Sequence, residues 1–297
     1  MDLISDVRAT LLYFDLFEYP LTARELFSFM PTRHDFEGFK ERLDKSGIGY
    51  SNGYYHLESR TDLSSIRQKR EKEARKMLAA SKVVGAIIRY FPFVRGAFLS
   101  GSLSKGVNDG DADIDLFLVS AEERLWVCRS ILTLFKRTFL FNRKKFLCPN
   151  YFVTETHLEI PERNLFTATE LVTLRALYNP DMLSRLLSAN EWISEFFPNF
   201  KSAPLQRSAR ASIIQRAFEL PMSDGYTGAL DRKLMYYYGR VWRKRYPEYG
   251  DEQRQFLFRT TPYASKVHPK DYQTKVLEAY EKRLKEEHLW RLTRLDD

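Results

Sequence analysis

The segment FLSGSLSKGVNDGDADIDLFLV, residues 98–119, gathers the residue types that metal-assisted phosphate chemistry requires. Side chains alternate faces along an extended strand. Asp113 and Asp115 therefore project to one side, while Ile114 and Leu116 go to the other. Two neighbouring carboxylates repel as bare anions. A divalent cation removes that conflict, and hard oxygen ligands suit Mg²⁺ or Mn²⁺. Phe117, Leu118 and Val119 anchor the strand in a core and leave the acids near its exposed start. Upstream, Gly101-Ser102 opens a loop just after an apolar strand. Glycine lets the backbone approach a phosphate closely, and consecutive N–H groups form an anion-binding nest. Ser102 and Ser104 add hydroxyl donors, and Lys105 adds a mobile cation for a triphosphate. A phosphate cradle and a metal clamp in one segment are what phosphoryl or nucleotidyl transfer needs. Asp109 and Asp111 read as solvated turn residues.

An apolar strand, Gly101-Ser102, the spacer Leu103–Ala112 and then Asp113-Ile114-Asp115-Leu116 resemble the signature of the DNA polymerase β-like nucleotidyltransferase superfamily. The resemblance implies a two-metal mechanism. Asp113 and Asp115 would hold the metal ions that bind the phosphates of a nucleoside triphosphate (NTP). A third carboxylate from a later strand would orient or deprotonate the attacking hydroxyl, which displaces pyrophosphate. The strand CPNYFVTETHLEI has no acid at its centre. Glu155 at its end is the expected third carboxylate, with Asn150 as a non-acidic substitute. His157 reads as a surface or hydrogen-bonding residue, and Glu170 as part of an amphipathic helix that could reach the site.

These residues need a scaffold, and the pattern of elements predicts an α+β fold with a small mixed β-sheet. Residues 1–60 read as a winged-helix-like unit. Thr22 with Glu25 makes a capping box for a short helix, a third helix runs over about Asp35–Lys45, and Asn52-Gly53 marks a hairpin. That unit resembles a winged helix-turn-helix. DNA-binding versions carry basic, groove-reading helices, whereas the third helix here mixes Asp35, Glu37, Glu41 and Asp44 with Lys40, Arg42 and Lys45. Packing or protein contact is the better expectation for it, with DNA binding weakly supported. Residues 61–160 form the expected catalytic core. A long leading helix capped by Asp62 carries the charge run IRQKREKEARK, read as a solvated face. Strands follow at VRGAFLS, at DIDLFLVS and at about Asn150–Thr154. Residues 161–297 are expected to be a helical C-terminal domain, with FTATELVTLRALYN as one amphipathic helix. Within that region YYYGRVWRKRYPEYG interleaves rings with Arg240, Arg243, Lys244 and Arg245. Such a stretch could contact nucleic acid by stacking and phosphate pairing, although it more often packs its rings and solvates its charges.

The composition agrees. A chain of 297 residues, 44% hydrophobic and 29% charged, has the apolar material for real cores. A net charge of +8 favours polyanionic partners without choosing among them. No apolar stretch approaches a membrane span, and the start has no secretory pattern. Cys128 and Cys148 read as reduced thiols, which fits a cytoplasmic protein. The expected activity is metal-dependent transfer of an NMP group from an NTP to a hydroxyl on a small-molecule, protein or RNA acceptor. The alternative is a non-catalytic nucleotide-sensing regulator with a DNA- or protein-binding winged-helix unit.

Overall fold

The computed structural model of the chain describes residues 3–60, 62–108, 110, 113–141, 144–202, 212–222 and 225–289. Asp109 and Asp111 lie outside them. The chain opens with α1 (Leu3–Asp15), α2 (Ala23–Ser28), α3 (Phe36–Asp44) and the hairpin β1 (Gly49–Ser51) and β2 (Tyr54–His56). The Thr22–Glu25 capping box forms: the Thr22 hydroxyl accepts the Glu25 N–H, and the Glu25 carboxylate accepts the Thr22 N–H at 2.8 Å. Asn52 and Gly53 both take positive φ, as the two-residue turn demands. On α3 two of the three acids pair with neighbouring lysines, Lys40 with Asp44 and Lys45 with Glu41, so charges of both signs share its surface.

The long helix α4 (Leu63–Ile88) follows, and the Asp62 side chain makes no capping bond to it. Its charge run is more than a solvated face. Arg67 is only 4% exposed. It bonds Glu25 at 2.7 and 3.0 Å, Glu71 at 2.9 Å and the Pro20 carbonyl, and lies over the rings of Tyr19 and Tyr54. Burial alone would raise the Glu25 carboxyl, but the hydrogen bonds and charge of Arg67 outweigh it and hold the carboxyl below its ordinary range. This buried cluster ties the N-terminal unit to α4.

The central sheet is mixed, with β3 (Val94–Leu99), β4 (Asp115–Ser120), β5 (Cys148–Thr154), β6 (Arg175–Tyr178) and β7 (Ala264–Lys266) in the order β6-β3-β4-β5-β7. A short helix α5 (Gly101–Ser104) starts the loop between β3 and β4, which pair antiparallel. The helix α6 (Leu125–Phe139) is the crossover between β4 and β5, which pair parallel. Next come α7 (Leu165–Val172), α8 (Pro180–Ser188), α9 (Ile193–Phe196), α10 (Ile213–Glu219), α11 (Gly225–Arg245), α12 (Asp251–Leu257) and α13 (Tyr272–Glu286).

Alternation along the strands divides the core. Phe98, Phe117, Val119 and Val153 face one layer, shared with α1, α2, α7, α8 and α13. Ala97, Leu99, Leu116, Leu118 and Phe152 face the other, with α4, α6 and α11. Two expected boundaries are crossed. The first layer fuses the core of the N-terminal unit with one face of the sheet. The region expected to be a helical C-terminal domain supplies both edge strands, β6 and β7. The amphipathic run from Phe166 stops at α7, and LRALY leaves it to pair with β3. An exposed edge of β3 needs backbone partners, which outranks the helical period of that run. Packing also sets Gly85 on α4, where a Cβ would lie 2.8 Å from the Leu177 carbonyl oxygen.

Candidate metal and nucleotide site

Asp115 opens β4, on the face that carries Phe117 two residues later. Asp113 precedes the strand. Ile114 between them is fully buried, and its backbone bonds Lys145 and Cys148, so the alternation extends back to Asp113. The ligand atoms of Asp113, Asp115 and Cys148 all lie within 4.8 Å of one another. The register explains why: Asp115 pairs with Cys148 at the start of the parallel strand β5. The bulge that follows turns Asn150 toward the pair, and its Nδ2 donates to Asp115 Oδ1 at 2.7 Å.

Burial pushes the Asp115 carboxyl up to about 6, and the charges of Asp113 and Glu170 push the same way. Hydrogen bonds from Asn150 and Cys148 only partly offset them. A part-buried carboxylate beside a second one is the arrangement a cation relieves. Burial, followed by the charge of Asp115, pushes the Cys148 thiol up to about 12, so at neutral pH it is a protonated donor. The donor set is therefore two hard oxygens beside a thiol and an amide, which fits Mg²⁺ or Mn²⁺ held by two carboxylates.

The Gly101 turn meets this pair directly. Gly101 has φ +71°, and a Cβ there would lie 2.8 Å from Asp115 Oδ2. Both the left-handed backbone and the close approach require glycine. The Ser100 N–H bonds the Asp115 carbonyl at 2.9 Å, which fixes the turn to the start of β4. Ser102 is exposed beside it. Ser104, expected to face a phosphate, is 2% exposed and donates its hydroxyl to the Gly101 carbonyl at 2.8 Å. It braces the loop from inside. Lys105 holds Glu170 of α7 at 2.7 Å, and its carbonyl accepts the Tyr19 hydroxyl at 2.9 Å. Between the N-terminal unit and this loop lies a cleft of about 210 Å³, whose lining includes Phe14, Tyr19, Phe29, Lys105 and Arg175.

Glu155 is not brought to the site. Its N–H bonds Ser120 at the far end of β4, and its carboxylate lies 3.6 Å from Arg95. At roughly 3.3 Å per residue, the length of β4 puts it more than ~15 Å from Asp115. Parallel pairing is the reason: the end of β5 lies beside the end of β4, while the acids sit at the beginning. His157 is at the far end too, stacked on Tyr263.

Sequence reasoning missed one member of the site. Cys148 could have been found from the register of a parallel pair, since it opens the strand beside Asp115. Glu170, read from the sequence as a helix residue that could reach the site, meets the loop through Lys105, 65 residues away in the chain. Comparison with protein-family models, curated proteins and solved structures gave no match. Among the described residues no helix is long and apolar enough to cross a membrane.

Proposed function

We propose that the chain binds a nucleoside triphosphate with a divalent cation at Asp113 and Asp115, and transfers an NMP group to a hydroxyl-bearing acceptor. One observation carries this reading: the Gly101 turn and the Asp115 carboxylate touch so closely that no Cβ fits between them. A phosphate-approaching turn and a cation-binding acid pair thus form one surface. Exposed Ser102 and the turn backbone would hold phosphate oxygens, and Lys105 would supply positive charge beside them. Bound Mg²⁺ or Mn²⁺ supplies charge neutralisation at the phosphates. In the transfer, the acceptor oxygen bonds the α-phosphorus, the bond to the bridging oxygen of the β-phosphate breaks, and pyrophosphate leaves. The hydroxyl proton needs a base, and we assign it to Glu170, which Lys105 holds against the Gly101 loop at 2.7 Å.

A second reading rests on Asn150. It occupies the place beside Asp115 where a third carboxylate would stand, and an amide takes no proton. That favours a nucleotide sensor, with the N-terminal unit as its output surface. The deciding experiment measures pyrophosphate release from each NTP with Mg²⁺ or Mn²⁺, in the native chain and in Asp113→Ala. Release that disappears in the variant supports the transferase. Metal-dependent binding of a non-hydrolysable NTP without release supports the sensor. No metal-dependent nucleotide binding at all overturns both.

A further inference from the structure

We propose that the outer face of α11 is a binding surface for a single-stranded polynucleotide, RNA or DNA. The helix holds one acid, Asp231, which is buried and accepts the Val127 N–H at 2.8 Å. Every other charge on it is a cation: Arg232, Lys233, Arg240, Arg243, Lys244 and Arg245, all exposed. None of these six has an ion-pair partner among the described residues. Two other long helices, α4 and α13, behave differently, and α6 carries only three cations, of which Arg129 is buried. On α4, Arg67 pairs with Glu71, and on α13, Lys282 and Lys285 pair with Glu286 and Glu281. A solvated helix face normally mixes signs in that way, and α11 does not.

Rings stand among the cations. Lys233, Tyr237, Arg240 and Lys244 recur at spacings of three and four, so they form one stripe about 16 Å long. Arg232, Tyr236 and Arg243 flank it. Tyr236 is 67% and Tyr237 58% exposed, while Tyr238 and Trp242 turn inward against α6 and the sheet. Unpaired cations for phosphates and exposed planar rings for bases are the two components of single-strand recognition. Glu248, Asp251 and Glu252 lie just beyond the helix, and Asp251 is held by Arg254. They bound the surface at that end.

The direction of the helix adds meaning. α6 and α11 run side by side in the same sense, with Gly228 near Arg124, Val127 bonded to Asp231, and Arg129 beside Tyr238 and Trp242. α6 returns the chain from the end of β4 to the start of β5. The cation-rich end of α11 therefore lies toward the same end of the sheet as Asp115 and Cys148. The polynucleotide surface stands without the transferase reading, because it requires only binding.

The test is fluorescence anisotropy with labelled oligo-uridine RNA and oligo-thymidine DNA, on the full chain. Binding of either polymer supports the proposal. With three to four phosphates neutralised, affinity should fall roughly 20–50-fold between 50 and 200 mM salt. Lys233→Glu with Arg240→Glu and Lys244→Glu should abolish binding while leaving the melting temperature near native. Tyr236→Ala with Tyr237→Ala should weaken it by about tenfold or more. Asp113→Ala should bind as the native chain does, which separates this result from failure of the nucleotide site. Native-level binding by the charge-reversal variant overturns the proposal. So does capture of anionic phosphatidylserine vesicles without oligonucleotide binding, which would make the face a membrane-contact surface.

Discussion

Replacing Asn150 by aspartate probes the carboxylate pair from its nearest neighbour. The Asn150 amide now donates to Asp115 Oδ1 at 2.7 Å. Asn150→Asp removes that donor and sets a third carboxylate against the pair. Loss of a hydrogen bond to a charged group costs about 1.5–3 kcal/mol. Like charges about 4 Å apart repel by up to ~4 kcal/mol at the effective dielectric of a protein surface. Retention of a proton by one of the three acids relieves much of that repulsion, which leaves a net loss of roughly 3 kcal/mol. For a chain of this size, that lowers the melting temperature by about 6–12 °C. A divalent cation should reverse the sign, because three carboxylates hold it better than two. At a hundredfold excess over its dissociation constant, a bound ligand stabilises by about 2.7 kcal/mol. The assay is a calorimetric melt of the native chain and the variant in chelator, in Mg²⁺ and in Mn²⁺. A variant that melts with the native chain in chelator, or that neither metal raises, refutes the placement of a cation between these side chains. Pyrophosphate release gained in the variant would mark Asn150 as the residue that holds the native site inactive.

Three further outcomes follow from the geometry. Gly101→Ala must take a left-handed φ and push the Asp115 carboxylate aside. It should cost about 1–2 kcal/mol from the backbone alone and weaken metal-dependent nucleotide binding, read together by melting and by titration with an NTP analogue. Glu25→Gln should destabilise the chain by about 2–3 kcal/mol, because buried Arg67 loses one of its two carboxylate charges and one of the two Glu25 oxygens that accept from it. Since the folded Glu25 carboxyl titrates below its ordinary 4.5, its contribution is complete above that pH and is lost as pH falls through the folded value. The native melting temperature should therefore drop more steeply in acid than that of the Gln variant, and parallel curves would count against the Arg67 pairing. Glu155→Gln should leave nucleotide binding and any pyrophosphate release at the native level, whereas Glu170→Gln should lower pyrophosphate release, since it removes the assigned base, and leave nucleotide binding no weaker, since Lys105 loses its carboxylate partner. Equal effects from the two variants would contradict the separation along β4.

Much of the frame was legible in the residues. The Thr22–Glu25 capping box, the Asn52-Gly53 turn and the apolar runs that became β3 and β4 are local features, decided by backbone sterics and near-neighbour hydrogen bonds. The Asp113–Asp115 pair and the Gly101 turn were legible for the same reason, since strand alternation and a left-handed glycine act over a few residues. The resemblance to polymerase β-like nucleotidyltransferases rests on that one segment.

Only the tertiary structure decided what surrounds it. Parallel pairing of β4 with β5 placed Cys148 and Asn150 beside Asp115 and carried Glu155 to the opposite end. An unsatisfied sheet edge drew Arg175–Tyr178 out of a helical pattern. Arg67, which looked like part of a solvated run, found Glu25 across 42 residues and became a buried clamp. Each outcome depends on register and on partners distant in the chain, so no local periodicity encodes it. By itself the sequence determined which side chains could hold a cation and approach a phosphate. The fold decided which acids meet there, because burial and pairing are set by the whole sheet.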